Sequence, residues 1–184
     1  MESMTDSYNR FLQGDASGLA QIICAYKDGL ILYLTGFVRY ISLEEELTEE
    51  TFVKLVLKRP RFSGNAAFKT WLYTIARNVA IDHLRRKKKA EISAEDCKEL
   101  VDEKAHLERE YLQQEQKLQL HAAIEQLKPE YRQVLWLFYF EQFSHKEIAK
   151  IMGKNTHNVE MLASRARQAL KIILNKEGFV YEEL

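Results

Sequence analysis

A chain of 184 residues, 46% hydrophobic and 29% charged, suffices for one domain or two small ones with a packed core. Its 27 basic and 27 acidic side chains cancel, so any preference for an acidic or basic partner must lie in their distribution. Two prolines, seven glycines and few alternating apolar runs argue against a sheet and for an all-α fold. The longest apolar stretch, GLILYLTGFV, is too short to span a bilayer, and no basic-then-apolar leader opens the chain, so membrane insertion is not expected.

The first helical block covers 1–89. After Gly14 and Asp15, apolar positions from Leu19 through Ile22, Ile23, Tyr26, Leu30, Tyr33 and Leu34 to Phe37 repeat at helical spacing. Ser42 and Glu45 have the spacing of a capping box, opening a helix that carries Leu43, Leu47, Phe52, Leu55 and Val56. That helix must stop before Pro60, because the residue ahead of a proline is pushed out of helical geometry. RPRFSGN is then a loop, with Asn65 the expected cap of the next helix. On that helix Trp71, Leu72, Ile75, Ala76, Val79 and Leu84 make an inward stripe, leaving Tyr73, Thr74, Arg77, Asn78, Ile81, Asp82 and Arg85 on the other side.

Residues 90–116 are charged and poor in large apolar side chains, which reads as a linker, with helix around HLEREYLQQEQ. The second block, 117–184, opens with the amphipathic LQLHAAIEQL. Pro129 suits the first turn of PEYRQVLWLFYF. Ser144 and Glu147 form a second capping box, GKN at 153–155 is a turn, and a last helix from Thr156 to Leu174 turns Val159, Leu162, Ala166, Leu170 and Ile173 inward. Two helices joined by a glycine turn, the second rich in polar and basic residues, make a helix-turn-helix candidate over about 144–167.

Nothing in the chain reads as a catalytic or metal site. His83 beside Asp82 lacks the three- or four-residue spacing that one helix face requires, and His145 with Glu147 is not HExxH. No glycine loop for phosphate is present, and Cys24 and Cys97 are far apart, so no cofactor, zinc site or disulfide is expected and a reducing cytoplasm fits. The informative feature is charge segregation. Lys54, Lys58, Arg59, Arg61, Lys69, Arg77, Arg85, Arg86, Lys87, Lys88 and Lys89 face one acid, Asp82, over 54–89. An acidic cluster from Glu44 to Glu50 precedes them. A basic run complements a helix C-terminus, so RRKKK alone points nowhere. Joined on one face by Arg77, Asn78 and Tyr73, it matches what a strand needs: cations for phosphates, rings and amides for bases. The spacing of Trp71 with Ile75 fits a core role as well as a base contact.

FSGNAAFKTWLYTIARNVAIDHLRR resembles the second conserved region of bacterial RNA polymerase sigma factors of the extracytoplasmic-function group. AAIEQLKPEYRQVLWLFYFEQFSHKEIAKIMGKNTHNVEMLASRARQAL is similar to their fourth. The resemblance implies a protein that binds core polymerase, places it at promoters and helps melt the duplex at the minus-ten element. It implies a minus-ten set of Phe62, Ser63, Asn65, Ala66, Lys69, Trp71, Tyr73, Thr74, Arg77, Asn78, Ile81, Asp82, Arg85 and Arg86, with the loop Phe62 to Ala67 and Asn78 holding a flipped base. It implies a minus-thirty-five set of Lys146, Thr156, His157, Asn158, Glu160, Met161, Ser164, Arg165, Arg167 and Gln168, and core docking through Glu45, Glu46, Glu49 and Phe52. Glu46 and Glu49 stand where family members commonly carry aspartate and glutamine, and HNVEMLA replaces a common Gly-Thr with further basic residues. An anti-sigma factor is a further candidate partner that no residue singles out. A stand-alone helix-turn-helix regulator explains the second block but leaves 62–89 without a role. A helical interaction protein leaves both polar faces without one.

Overall fold

The computed structural model describes residues 3–38, 41–93 and 115–176, and every regular element in them is helical. The first module comprises α1 (Met4–Leu12), α2 (Ala16–Leu34), α3 (Ile41–Lys58) and α4 (Phe68–Ser93). Asp15 caps α2 by accepting from the Ser17 amide at 2.9 Å. Leu30, Tyr33 and Leu34 of α2, Leu47 and Leu55 of α3, and Leu72, Ala76 and Val79 of α4 are fully buried together. Each large aliphatic side chain among them contributes roughly 1.5–3 kcal/mol. α1, which the apolar spacing after Gly14 does not reveal, is a real element. Ser3 and Asp6 form its capping box, and Tyr8 and Phe11 anchor it to the core. Gly18 permits the close approach of α1 to α2, since a Cβ there would strike the Ser7 carbonyl.

Three boundaries differ from expectation. α3 already runs at Ile41, so Ser42 is inside the helix rather than its cap. α3 does end at Lys58, ahead of Pro60, with Arg59 in the left-handed region at φ 40°. α4 starts at Phe68 and the Ala67 carbonyl accepts its first bond, from Trp71, so Asn65 lies two residues ahead of the cap position. α4 also continues through Ser93, past the expected start of the linker. The helix expected around HLEREYLQQEQ lies outside the described residues apart from Glu115 and Gln116, as does Cys97. Leu84, expected inward, is 38% exposed because the core ends one turn before it.

The second module comprises α5 (Glu115–Glu125), α6 (Pro129–Leu135), a π-helical turn (Trp136–Phe140), α7 (His145–Met152) and α8 (Thr156–Lys176). Pro129 opens α6, as its missing donor allows. Buried Arg132 donates to the carbonyls of Glu125 and Leu127 at 2.9 and 3.2 Å, closing the end of α5 with a positive charge. PEYRQVLWLFYF is not one α-helix: the Glu141 amide bonds back to the Trp136 carbonyl, five residues earlier, and the widened turn stacks Trp136 on Phe140 at 4.2 Å. Gly153 ends α7 in the left-handed conformation, φ 62°.

The Ser144–Glu147 capping box forms as its spacing predicts. Ser144 donates to the Glu147 carboxylate from its amide at 3.0 Å and from Oγ at 2.7 Å. These bonds hold the Glu147 carboxyl below its ordinary 4.5. A carboxyl depressed in the folded state lends stability that is present above its unfolded pKa and lost as pH falls through the folded one. Between about pH 6 and pH 3 the wild type should lose Tm more steeply than Glu147→Gln. Parallel melting curves for the two would contradict that role.

Candidate nucleic-acid interface

α4 presents the residues expected to bind a strand in three environments. Asn78, Asp82, Arg85 and Arg86 are exposed, and Thr74, Arg77 and Ile81 half-buried. Asp82 sits between Lys54 at 3.9 Å and Arg85 at 4.0 Å, and Glu50 holds Lys54 at 3.6 Å and Arg86 at 3.4 Å. These partly exposed surface pairs are weak, each worth about 0–1 kcal/mol. Ser63 and Asn65 are exposed in the loop, and Gly64 takes φ 74°. Phe62 packs back on Phe68 and Trp71 at centroid distances of 5.6 and 5.2 Å. Trp71 also meets Tyr8 at 5.3 Å, edge to face, so its half-buried ring supports the loop from the core side. Asn78 stands two turns beyond Trp71, roughly 10 Å along the axis, and no described contact joins it to the loop.

Tyr73 is the correction. Expected on the outward face, it is fully buried, because the second module lies against it. Its ring meets Phe143 edge to face at 5.2 Å and Tyr33 at 5.3 Å. Burial above all, and then the neighbouring Glu141 carboxylate, raise its phenol far beyond the usual range. Gly29 of α2 leaves the space for this meeting; a Cβ there would come within 2.6 Å of Tyr73 Oη and 2.8 Å of Glu141 Oε1. Lys69 Nζ contacts the Glu141 carboxylate at 2.7 Å, Thr70 donates to Glu147 at 3.2 Å, and Lys150 donates to the Asn65 carbonyl at 2.9 Å.

On α8 the buried and exposed faces fall where the helical spacing predicts them. Val159 and Ala166 are fully buried, and Leu162, Leu170 and Ile173 half-buried. Thr156, His157, Asn158, Glu160, Met161, Ser164, Arg165, Arg167 and Gln168 are all exposed, as is Lys146 on α7. Asn155 Oδ1 accepts from the Asn158 amide at 2.7 Å, fixing the first turn of the helix.

A third surface lies between α2 and α3. Leu19, Ile23, Thr48, Phe52, Val53 and Val56 line a groove of about 360 Å³, with Lys27 and Glu49 at its polar edge. Leu57 beside it in sequence is 76% exposed. Glu46 and Glu49 are exposed and Glu45 half-buried. Phe52, expected to reach a partner, is only 7% exposed and belongs to the groove wall. Sequence reasoning missed this groove; its signal was Val53, Val56 and Leu57, apolar residues in excess of what one buried stripe of α3 needs.

Comparison with known proteins decides what the two modules are. The family model for sigma-70 region 2 matches residues 22–90, and that for sigma-70 region 4 matches residues 117–170. The RNA polymerase sigma-H factor of Pseudomonas aeruginosa is 30% identical over 170 residues, which cover 88% of each chain. The ECF RNA polymerase sigma-E factor of Haemophilus influenzae is 30% identical over 184 residues, covering 92% of this chain and 95% of that one. The chain belongs to the extracytoplasmic-function sigma factors. It therefore binds core RNA polymerase, directs it to promoters and promotes melting, and the stand-alone regulator reading falls, because 22–90 is a sigma region 2. The fold agrees with that of the sigma factor RpoE solved in complex with the anti-sigma factor NepR from Bartonella quintana, at a TM-score of 0.67 and 22% identity. That match covers 85% of this sigma factor and 96% of that chain. Among its described residues no helix is long and apolar enough to cross a membrane.

Proposed function

We propose that this sigma factor divides its contacts among three surfaces. The α2–α3 groove, with Glu46 and Glu49 at its rim, takes core polymerase; Glu45 contributes charge behind them and Phe52 shapes the wall. The loop Phe62 to Ala67, with Lys69, Thr74, Arg77, Asn78, Ile81, Arg85 and Arg86 of α4, holds the opened minus-ten strand. Trp71 braces the loop, Asp82 sets the spacing of its neighbouring cations, and Tyr73 joins the face when the second module leaves it. α8 enters the major groove of the minus-thirty-five element, with Lys146 on the backbone. Region 2 then spans 1–89 with α4 extending to Ser93, and region 4 spans 117–184.

The observation that carries this reading is α8, whose predicted outward residues are all exposed on a helix whose other stripe is packed. A recognition helix contacts base edges with its N-terminal residues, here His157, Asn158 and Met161, and Glu160 is suited to a cytosine amino group. The protein supplies positioning and strand capture, with no catalysis of its own, and works in the cytoplasm. An anti-sigma factor is a fitting partner, as NepR is for the Bartonella protein.

Arg165 and Arg167 serve the phosphates. Each such contact contributes about one unit to the slope of log affinity against log salt. Holoenzyme carrying Arg165→Ala should bind duplex upstream DNA with that slope reduced by about one, and with little change in sequence preference. Salt sensitivity equal to wild type would remove Arg165 from the interface.

A further inference from the structure

Three cations of the basic segment, Lys58, Arg59 and Arg61, stand outside the minus-ten set, and all three are exposed. We propose that Lys58 and Arg61 hold strand phosphates between Asn78 and the loop Phe62 to Ala67, while Arg59 shapes the corner that carries them. The inference rests on the minus-ten reading of α4 and its loop given above, and adds to it a second row of phosphate contacts at the end of α3.

The register of α3 against α4 places Lys58. Glu50 meets Arg86 at 3.4 Å and Lys54 meets Asp82 at 3.9 Å, so four residues up α3 correspond to four residues down α4 and the helices run antiparallel. One further turn, still within α3, brings Lys58 level with Asn78. At the first two levels a cation faces an acid. At the third it faces a neutral amide, and among the described residues neither Lys58 nor Arg61 has an acid within ion-pairing distance. By contrast, Lys69, Arg85 and Arg86 of α4 each lie within 4.0 Å of a carboxylate. A phosphate reaching Lys58 or Arg61 displaces no acid, so the counterions released from the strand favour binding in full.

The corner is a fixed structure. Arg59 takes φ 40°, a left-handed conformation that a residue with a Cβ keeps only where its surroundings impose it. Here the Arg59 amide donates to the Leu55 carbonyl at 3.1 Å, and its guanidinium lies 5.5 Å from the centre of the Phe11 ring. Tyr8 donates to the Pro60 carbonyl at 2.7 Å. Arg61 then adjoins Phe62, which packs on Phe68 and Trp71, and at most about 14 Å of chain separates it from Asn65. α4 carries no cation from Thr70 to Ala76, a stretch of roughly 10 Å between the loop and Asn78. Lys58 and Arg61 flank that stretch and supply the charge that α4 lacks there. Lys58 also suits the C-terminus of α3, a role that Arg61, outside the helix, does not share.

Holoenzyme carrying Lys58→Gln/Arg61→Gln would be titrated into a fluorescein-labelled fork-junction DNA with the minus-ten non-template strand of a promoter of this sigma factor. Anisotropy would be followed over a range of salt. The double variant should bind roughly tenfold more weakly than wild type. Its slope of log affinity against log salt should fall by about 1.4, which is ~0.7 for each single-strand phosphate. Lys58→Arg/Arg61→Lys keeps both charges and should bind as wild type does. Neutral methylphosphonates placed one at a time along the strand should include a position that weakens wild-type binding and leaves the glutamine variant unaffected. Wild-type affinity and slope in the glutamine variant overturn the proposal. A loss fully accounted for by weaker binding to core polymerase overturns it too, because the corner then meets a protein surface. Arg85→Gln/Arg86→Gln separates such a failure from failure of the minus-ten reading. Weakened fork binding there, with the corner variant unaffected, keeps the reading and removes the corner, whereas wild-type fork binding by both variants removes both.

Discussion

Core polymerase should bind the Glu46→Lys/Glu49→Lys variant about a hundredfold more weakly than wild type, a loss of ~2.7 kcal/mol. Both side chains are exposed, and Glu49 borders the groove between α2 and α3. Reversing them sets two cations where a partner presents complementary charge, and like charges across an interface cost several kcal/mol. Leu57→Ser tests the apolar half of the same surface. At 76% exposure this leucine contributes little to folding, so its loss should weaken core binding without lowering Tm. Helical circular dichroism should be unchanged in both variants. Undiminished core affinity in the charge-reversal variant would move the docking surface elsewhere.

Asn78→Ala should slow promoter opening by roughly 10- to 100-fold, the consequence of leaving a base edge without its hydrogen bonds. The amide offers two donors and an acceptor, which a lysine cannot. Extruding a base costs a few kcal/mol, and specific bonds must offset part of it. Asn78 is exposed in the middle of α4, where alanine is the better helix former, so the variant should melt no earlier than wild type. Binding to closed duplex should persist, and a promoter with a pre-melted bubble should regain part of the lost rate. Permanganate reactivity of the minus-ten thymines reads the opening directly. Full opening by the variant would reduce Asn78 to a surface residue.

Local signals were legible wherever one helix buries one stripe. Ser144, Glu147, Gly153 and the spacing from Val159 to Ile173 specify α7, its stop and α8, and the exposed face of α8 follows from the period alone. α1 escaped although Met4, Tyr8, Phe11 and Leu12 recur at helical spacing, because nine residues before a glycine turn make a short signal. Tyr73 was misplaced for a different reason. α4 buries two faces: Leu72, Ala76 and Val79 pack within the first module, and Tyr73 meets Phe143 of the second. A pattern read for one inward stripe assigns the second stripe to solvent. The pairing of Lys69 with Glu141, 72 residues away, has no local signature at all. Charge segregation is a signal of another kind: it sets apart the acids and cations on which the proposed docking and strand-binding surfaces draw.

The most direct test of the account is reconstitution with core polymerase on a promoter of this sigma factor, read by permanganate footprinting and transcript length. Core polymerase with the sigma factor should open the minus-ten region and start at one position. Core alone, or sigma factor alone, should open nothing. Equal opening by core alone, or promoter-specific duplex binding by the free sigma factor as tight as by holoenzyme, would contradict it.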